Sequence, residues 1–157
     1  NMTDVQAAIG RGQLPHFARW QDRRHALALA YDERLARIGG LQTPPRPHQG
    51  LHAWHLYVVQ LDPEFGVRRD AFISQLAARG VDCSVHFIPL HHQPYFKQLL
   101  ATQVPQTFPV ADAVFQRIVS LPFYPGLTPE MLDRICEEID GVRQDSMAAI
   151  AGSGGVA

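Results

Sequence analysis

The chain has 157 residues, of which 18% are charged and 46% hydrophobic, and its 14 basic and 15 acidic side chains leave a formal net charge of −1. This length suffices for one domain with its own core, and the charge balance excludes a protein that binds nucleic acid through a basic surface. No apolar run approaches the roughly 18 residues of a membrane span, and no secretion signal opens the chain, so neither nucleic acid nor a membrane is an expected partner.

Two helices are predicted in the first 40 residues. Thr3 and Gln6 have the spacing of a capping box, which indicates the start of a first helix that runs to Leu14. Pro15 fits the first turn of a second helix, and Gly39-Gly40 ends it. Side chains at intervals of three and four residues give this second helix one face for the core or for another subunit. That face consists of Phe17, Trp20, Arg24, Leu27, Tyr31, Leu35 and Ile38.

Strands alternate with helices after residue 40. Residues 54–61 are almost all apolar, which is typical of a strand covered on both faces. A helix is predicted over 68–79, and alternating apolar and polar residues over 81–87 predict a second strand. Two more helices follow, one over 109–119 and one that Thr128 caps. This order predicts an α/β fold, a small sheet flanked by helices.

The two ends of the chain differ in character. The capping residue of the first predicted helix is already the third residue, and such an abrupt start is typical of a segment cut from a longer protein. The other end is rich in glycine, serine and alanine, and residues 145–157 are therefore predicted to be a disordered tail.

The two cysteines, Cys83 and Cys136, fall at apolar positions of these patterns and have no metal or redox spacing. Buried, reduced thiols are the prediction. Because disulfides are rare in the cytoplasm, a cytoplasmic location follows as an expectation.

His86, His91 and His92 are the strongest local candidates for chemistry. His86 closes the predicted strand 81–87, and ligand-binding groups often gather at such strand ends. An imidazole there can move a proton near neutral pH or hydrogen-bond an anionic substrate; the alternative is a partly buried histidine satisfied by the backbone. Zinc is not expected, because no cysteine pair or nearby carboxylate completes a set of four ligands. Nucleophilic catalysis has no support, since no serine lies in a nucleophile elbow.

Several blocks follow one another along the chain: MTDVQAAIG at 2–10, HAWHLY at 52–57, GVDCSVHF at 80–87, FPVA at 108–111 and SLPFYPGL at 120–127. Together with shorter matches they span about residues 1–142. They resemble the segment that follows the active-site lysine in DegT/StrS-type (DegT/DnrJ/EryC family) sugar aminotransferases.

The resemblance implies the C-terminal small domain of a fold-type-I, aspartate-aminotransferase-like transferase, preceded by a long N-terminal connecting helix. Residues 1–40 would then form the helical connection from a large domain, residues 41–144 the α/β small domain, and residues 145–157 the tail.

The same resemblance implies a function for the longer protein. Family members depend on pyridoxal 5'-phosphate (PLP) and transfer an amino group, usually from glutamate, to a keto-sugar attached to a nucleotide. They supply cell-surface or secondary-metabolite sugars and work as homodimers with the active site between subunits. Their Schiff-base lysine precedes the segment present here, so this chain alone is expected to be inactive and not to bind PLP. Its only lysine, Lys97, matches no family lysine motif and is expected to be solvated.

The resemblance also assigns site residues. Asn1 corresponds to a position that reaches the cofactor phosphate of the neighbouring subunit, where an amide is a suitable donor. His86 corresponds to a histidine on the substrate side, and His91 and Tyr95 are its possible substrate-side neighbours. No catalytic residue and no metal ligand is assigned in this chain. The alternative function is a stand-alone truncated interaction domain or a pseudoenzyme without catalysis.

Overall fold

The computed structural model describes residues 1–46, 49–101 and 107–153. Its helices and strands, in chain order, are α1 (Asp4–Gln13), α2 (Phe17–Leu35), β1 (Leu41–Gln42), β2 (Tyr57–Leu61), α3 (Arg69–Ala78), α4 (Pro94–Ala101), α5 (Pro109–Phe115), β3 (Ile118–Leu121) and α6 (Pro129–Ser153). Short 3-10 turns cover Leu14–His16, Pro63–Phe65 and Leu90–His92. No helix in these described ranges is long and apolar enough to cross a membrane.

The three strands form one antiparallel sheet in the order β1-β2-β3. Alternate residues of β2, from Tyr57 to Leu61, are fully buried, while the residues between them are partly exposed. The strand is therefore sealed on one face and half-covered on the other. Helices α2 and α3 both pack against α6, and α3 also contacts β3. The predicted α/β fold with a small sheet flanked by helices is confirmed.

The N-terminal helices are anchored only in part. The capping box is confirmed, since the Gln6 amide donates to the Thr3 hydroxyl and the Gln6 side chain accepts from the Thr3 amide. Helix α1 has no buried residue, and α2 is buried only from Leu27 onward. Phe17, predicted on a face for the core or for another subunit, does not enter the core of this chain, because it is 61% exposed.

Two predicted elements differ from the structure. Residues 81–87 do not form a regular strand, and only Ser84 makes a β-bridge, with Ser120 of β3. The helix predicted over 109–119 ends at Phe115, and β3 begins at Ile118. The side chain of Arg117 donates to the carbonyl of Leu61, so that the chain joins the edge of β2 here. Pairing with β2 thus overrides the helical pattern.

The disordered tail predicted from residue 145 is wrong for the part of it that the structure describes, because α6 continues to Ser153. Ser146 is buried, and its hydroxyl donates to the carbonyl of Val142. Asp145 forms an ion pair with Arg79 at 2.5 Å. These contacts hold the helix at residues 145 and 146, whereas residues 147–152 are exposed. Residues 154–157 of the predicted tail lie outside the described part of the chain.

A tight turn joins α2 to the sheet at Gly40. Its φ is +75°, and a Cβ placed there would lie 2.5 Å from the backbone nitrogen of Phe65. The Gly40 carbonyl accepts from the amide of Asp62 at 2.9 Å. Phe65 is itself fully buried and packs edge-on against Phe72. The close approach of these two backbone segments therefore requires glycine.

A network of polar side chains, centred on Asp32 of α2, connects this helix to the sheet. The hydroxyl of Tyr57 donates to Asp32 Oδ1 at 2.5 Å, and Arg46 donates to Asp32 Oδ2 from its Nε at 2.8 Å and from a second guanidinium nitrogen. Tyr31 stacks on Tyr57 with ring centroids 4.6 Å apart and donates to the carbonyl of Pro122. Burial, and then the hydrogen bond to Asp32, raise the pKa of Tyr57, so the phenol stays a neutral donor.

Candidate functional site

His86 lies just after the point where the chain pairs with the free edge of β3. Backbone hydrogen bonds join Ser84 and Ser120 at 3.2 and 2.8 Å. The Nδ1 atom of His86 lies 3.0 Å from the Ser120 hydroxyl and 3.2 Å from the Ser84 hydroxyl. Two serine side chains thus orient the imidazole, whereas sequence reasoning considered only backbone partners for a structural histidine.

The other ring nitrogen of His86 is differently placed. Within the described ranges, Nε2 has no hydrogen-bond partner, and the residue is half-buried. With Nδ1 held by hydroxyls, Nε2 is the atom that can donate to or accept from a ligand, according to the tautomer. The neighbouring Phe87 is 78% exposed and packs edge-on against the imidazole. An imidazole and an exposed aromatic ring therefore lie side by side at the end of this segment.

A second cluster joins His91 and His92 to Asp112. The Nε2 atoms of both histidines lie 2.7 Å from the same carboxylate oxygen, Oδ1 of Asp112. The hydrogen bond from His91 and then that from His92 lower the pKa of Asp112. Sequence reasoning missed Asp112, because α5 brings it back from twenty residues along the chain, and no local spacing signals that approach.

Tyr95 and Asn1, the remaining assigned residues, make no hydrogen bond or ring contact with these two clusters in the described part of the chain. Tyr95, on α4, is 70% exposed, and its ring contacts Phe96. Asn1 is exposed, ahead of the capping box. In the described part of the chain, no hydrogen bond or ring contact links His86 with His91 or Tyr95. The structure thus brings His91 to His92 and Asp112, and in the described part of the chain it shows no direct contact of His86 with His91 or Tyr95.

The residues of this chain do not fit PLP as a resident cofactor. A Schiff base needs a lysine amine held against the cofactor, but Lys97 is exposed on the short helix α4. Asn1, the assigned phosphate donor, is exposed at the chain end. No step of PLP chemistry can therefore be derived from the described residues alone.

Thiol chemistry is also disfavoured. Both cysteines are free thiols, with Cys136 buried and Cys83 half-buried. Burial raises the pKa of each to about 12, so both stay protonated, and the thiolate is the reactive form.

A cleft of about 590 Å³ borders Cys136 between α2 and α6, but it is lined mainly by charged side chains and includes none of the assigned residues.

Comparisons with known proteins agree with this fold. The family model described as the DegT/DnrJ/EryC1/StrS aminotransferase family matches residues 1–140. The spore coat polysaccharide biosynthesis protein SpsC of Bacillus subtilis is 38% identical over 141 residues, which are 88% of this chain and 36% of SpsC.

Two solved structures are similar as well. The structure of DesV from S. venezuelae in complex with a ketimine intermediate has a TM-score of 0.76 at 30% identity, over 88% of this chain and 36% of DesV. The PLP form of Spr1654 from Streptococcus pneumoniae has a TM-score of 0.81 at 26% identity, over 93% of this chain and 37% of Spr1654.

The chain thus spans little more than a third of the length of each of these proteins. The family match, by contrast, covers nearly the whole of the chain. This chain belongs to the DegT/DnrJ/EryC1/StrS aminotransferase family.

Proposed function

We propose that this chain is the C-terminal part of a PLP-dependent aminotransferase that transfers an amino group from glutamate to a keto-sugar linked to a nucleotide. The match of residues 1–140 to an aminotransferase family carries the proposal. The similarity to SpsC, a spore coat polysaccharide biosynthesis protein, supports a role in making surface sugars. The protein would act as a homodimer in the cytoplasm.

In this proposal, residues 1–40 connect to a large domain and residues 41–144 form the small domain. The exposure of α1 supports that division. Val5 and Ile9, four residues apart on α1, are both more than half exposed, as is Met2 just before the helix. A connecting helix whose apolar face meets another domain or subunit would bury these side chains in the whole enzyme.

In the proposed enzyme, the large domain, which is not part of this chain, would carry the cofactor chemistry. PLP, when bound, would supply the electron sink for amino transfer, and the lysine that holds it would come from the large domain. This chain would supply Asn1 to the cofactor phosphate of the partner subunit. It would also supply His86, with His91 and Tyr95 nearby, on the substrate side. Nε2 of His86 would hydrogen-bond the sugar nucleotide, while Ser84 and Ser120 fix the ring.

A second candidate function is an interaction domain or pseudoenzyme without catalysis. One observation favours it: the only lysine of the sequence, Lys97, is exposed, whereas a Schiff-base lysine is held against its cofactor. This candidate applies if the 157 residues act as a separate protein.

The two candidate functions predict different molecular masses and different absorbance spectra for the purified protein. Intact mass and an absorbance scan of the protein purified from its natural source are expected to show a species well above 17.5 kDa that carries the PLP absorbance band. Incubation of that species with glutamate and a panel of nucleotide-linked keto-sugars is expected to yield an amino sugar. A species near 17.5 kDa without the band would contradict aminotransferase activity for this chain and favour the second candidate.

Replacement of His86 by alanine in the whole enzyme is expected to lower kcat/KM for the sugar nucleotide by about threefold to tenfold, the value of one hydrogen bond. The absorbance of bound PLP is expected to stay unchanged, because His86 is placed on the substrate side. His55→Ala is the matched control, since His55 is an exposed histidine outside the assigned site. Unchanged kinetics in the His86 variant would reduce this histidine to a structural role.

A further inference from the structure

We propose that His91, His92 and Asp112 form a binding site for a divalent transition-metal ion of the zinc, cobalt and nickel class. Both histidines turn their Nε2 atom toward the same carboxylate oxygen of Asp112, and one ligand atom from each of the three residues lies within 4.8 Å of the others. The inference rests on this geometry and does not depend on the proposed aminotransferase function.

The ligands are held by structure on both sides of the centre. His91 and His92 end the 3-10 turn Leu90–His92, in which the amide of His92 donates to the carbonyl of Pro89 at 2.9 Å. Asp112 lies on α5, which fixes its backbone. Ligands carried on such short regular elements need little ordering when an ion binds.

Two aromatic rings restrain the imidazoles. The ring of Phe108 lies 4.7 Å from that of His91, and the ring of Phe115 lies 5.6 Å from that of His92. The two imidazoles also pack edge-on against each other, with centroids 4.4 Å apart. Their Nε2 atoms are therefore kept on the side of the carboxylate.

The distances allow an ion to enter with small movements. Ligand atoms bound at about 2.1 Å to one ion lie about 3.0–3.4 Å apart, whereas each Nε2 now lies 2.7 Å from Asp112 Oδ1. Each Nε2 needs to withdraw from Asp112 Oδ1 by less than about 1 Å, and the two Nε2 atoms, which lie within 4.8 Å of each other, need to come to about 3.4 Å. The side chains of His91, His92 and Asp112 are 17%, 35% and 44% exposed, so water can reach the ion and complete its coordination.

The ligand types select the class of ion. Imidazole nitrogen suits zinc, copper, iron and nickel, whereas magnesium and calcium prefer sites made only of oxygen. Three protein ligands with one position left to water are the pattern of open zinc sites. The sequence-based expectation of no zinc depended on the lack of a cysteine pair or a nearby carboxylate to complete four ligands; Asp112 supplies the carboxylate, as a third protein ligand.

Metal titration of the tag-free 157-residue chain tests the proposal. Cobalt(II) is added while its visible absorbance is recorded, and zinc is then titrated as the competitor. We expect one ion per chain and displacement of cobalt by zinc. The His92→Ala and Asp112→Asn variants are each expected to bind at least about tenfold more weakly, since even loss of a supporting group costs roughly that much.

His55→Ala is the matched control, because it removes an exposed histidine that lies outside the cluster. Circular dichroism of every variant identifies any that fails to fold, and His92→Ala, at a partly exposed position, is the variant of choice if Asp112→Asn unfolds. A dissociation constant for zinc above about 1 mM, measured on the unsubstituted chain, would overturn the proposal. So would affinities that fall equally in the His55 and His92 variants.

Discussion

Replacement of Gly40 by alanine is expected to lower the free energy of unfolding by about 2–5 kcal/mol, the sum of backbone strain and overpacking. The residue has a φ of +75°, and an added Cβ would lie 2.5 Å from the nitrogen and 2.7 Å from the Cα of Phe65. These are backbone atoms, which cannot rotate away as a side chain can. The turn Pro63–Phe65 would have to move, and with it the buried Phe65 ring. Chemical denaturation followed by circular dichroism measures the change.

Gly50→Ala is the matched control for this prediction. Gly50 has a φ of +81°, but no atom of the described residues lies within 4 Å of its added Cβ. Its substitution therefore carries the backbone strain alone, about 1–2 kcal/mol. Equal losses of stability in the two variants would show that the contact with Phe65 has no energetic weight.

Replacement of Asp32 by alanine is expected to lower the free energy of unfolding by about 2–4 kcal/mol, because a buried donor left without its acceptor bears its full desolvation penalty. The fully buried Tyr57 would lose the acceptor of its hydroxyl, and Arg46 would lose its ion pair. Asp32→Asn keeps an oxygen for Tyr57 and is expected to cost less. Equilibrium unfolding in urea ranks the two variants.

Asp133→Ala is the control for an ion pair of the same kind at the surface. Asp133 accepts from Arg34 at 2.6 Å, but its side chain is 52% exposed, against 26% for Asp32. Its loss is expected to cost less than about 1 kcal/mol, as exposed pairs usually do. A cost for Asp32→Ala no larger than that for Asp133→Ala would contradict the role assigned to the buried network.

The long helices were predictable because their patterns are local. The capping box at Thr3 and the apolar face of α2 from Leu27 onward both come from residues that are near one another in sequence. Strand β3 was not predictable in this way. It pairs with β2 across some sixty positions, so the apolar residues Ile118 and Val119 suited a helix equally well until the partner strand was known.

The candidate site likewise combines residues that the sequence identified with partners that only the tertiary structure supplies. His86, His91 and Tyr95 were assigned through the resemblance to a family, and each remains a proposal. Ser120, which contacts His86, and Asp112, which contacts His91, could not be identified from the sequence, because both come from distant positions. The choice of a hydroxyl or a carboxylate as the partner of an imidazole is made by tertiary structure, which decides what that imidazole can bind.

The pairing of β2 with β3 also acts as the closure of one long loop, from residue 62 to residue 117. The amide of Leu61 donates to the carbonyl of Arg117, and the Arg117 side chain donates back to the Leu61 carbonyl. His86, His91 and Asp112 all lie inside this loop, and the Ser84 bridge attaches it a second time to β3. Ser120 takes part in both the ladder and the bridge, so displacement of β3 would open both attachments at once and restore part of the closure entropy. Helix α3 would stay packed against α6, while the histidine segment that follows the bridge would loosen together with β3.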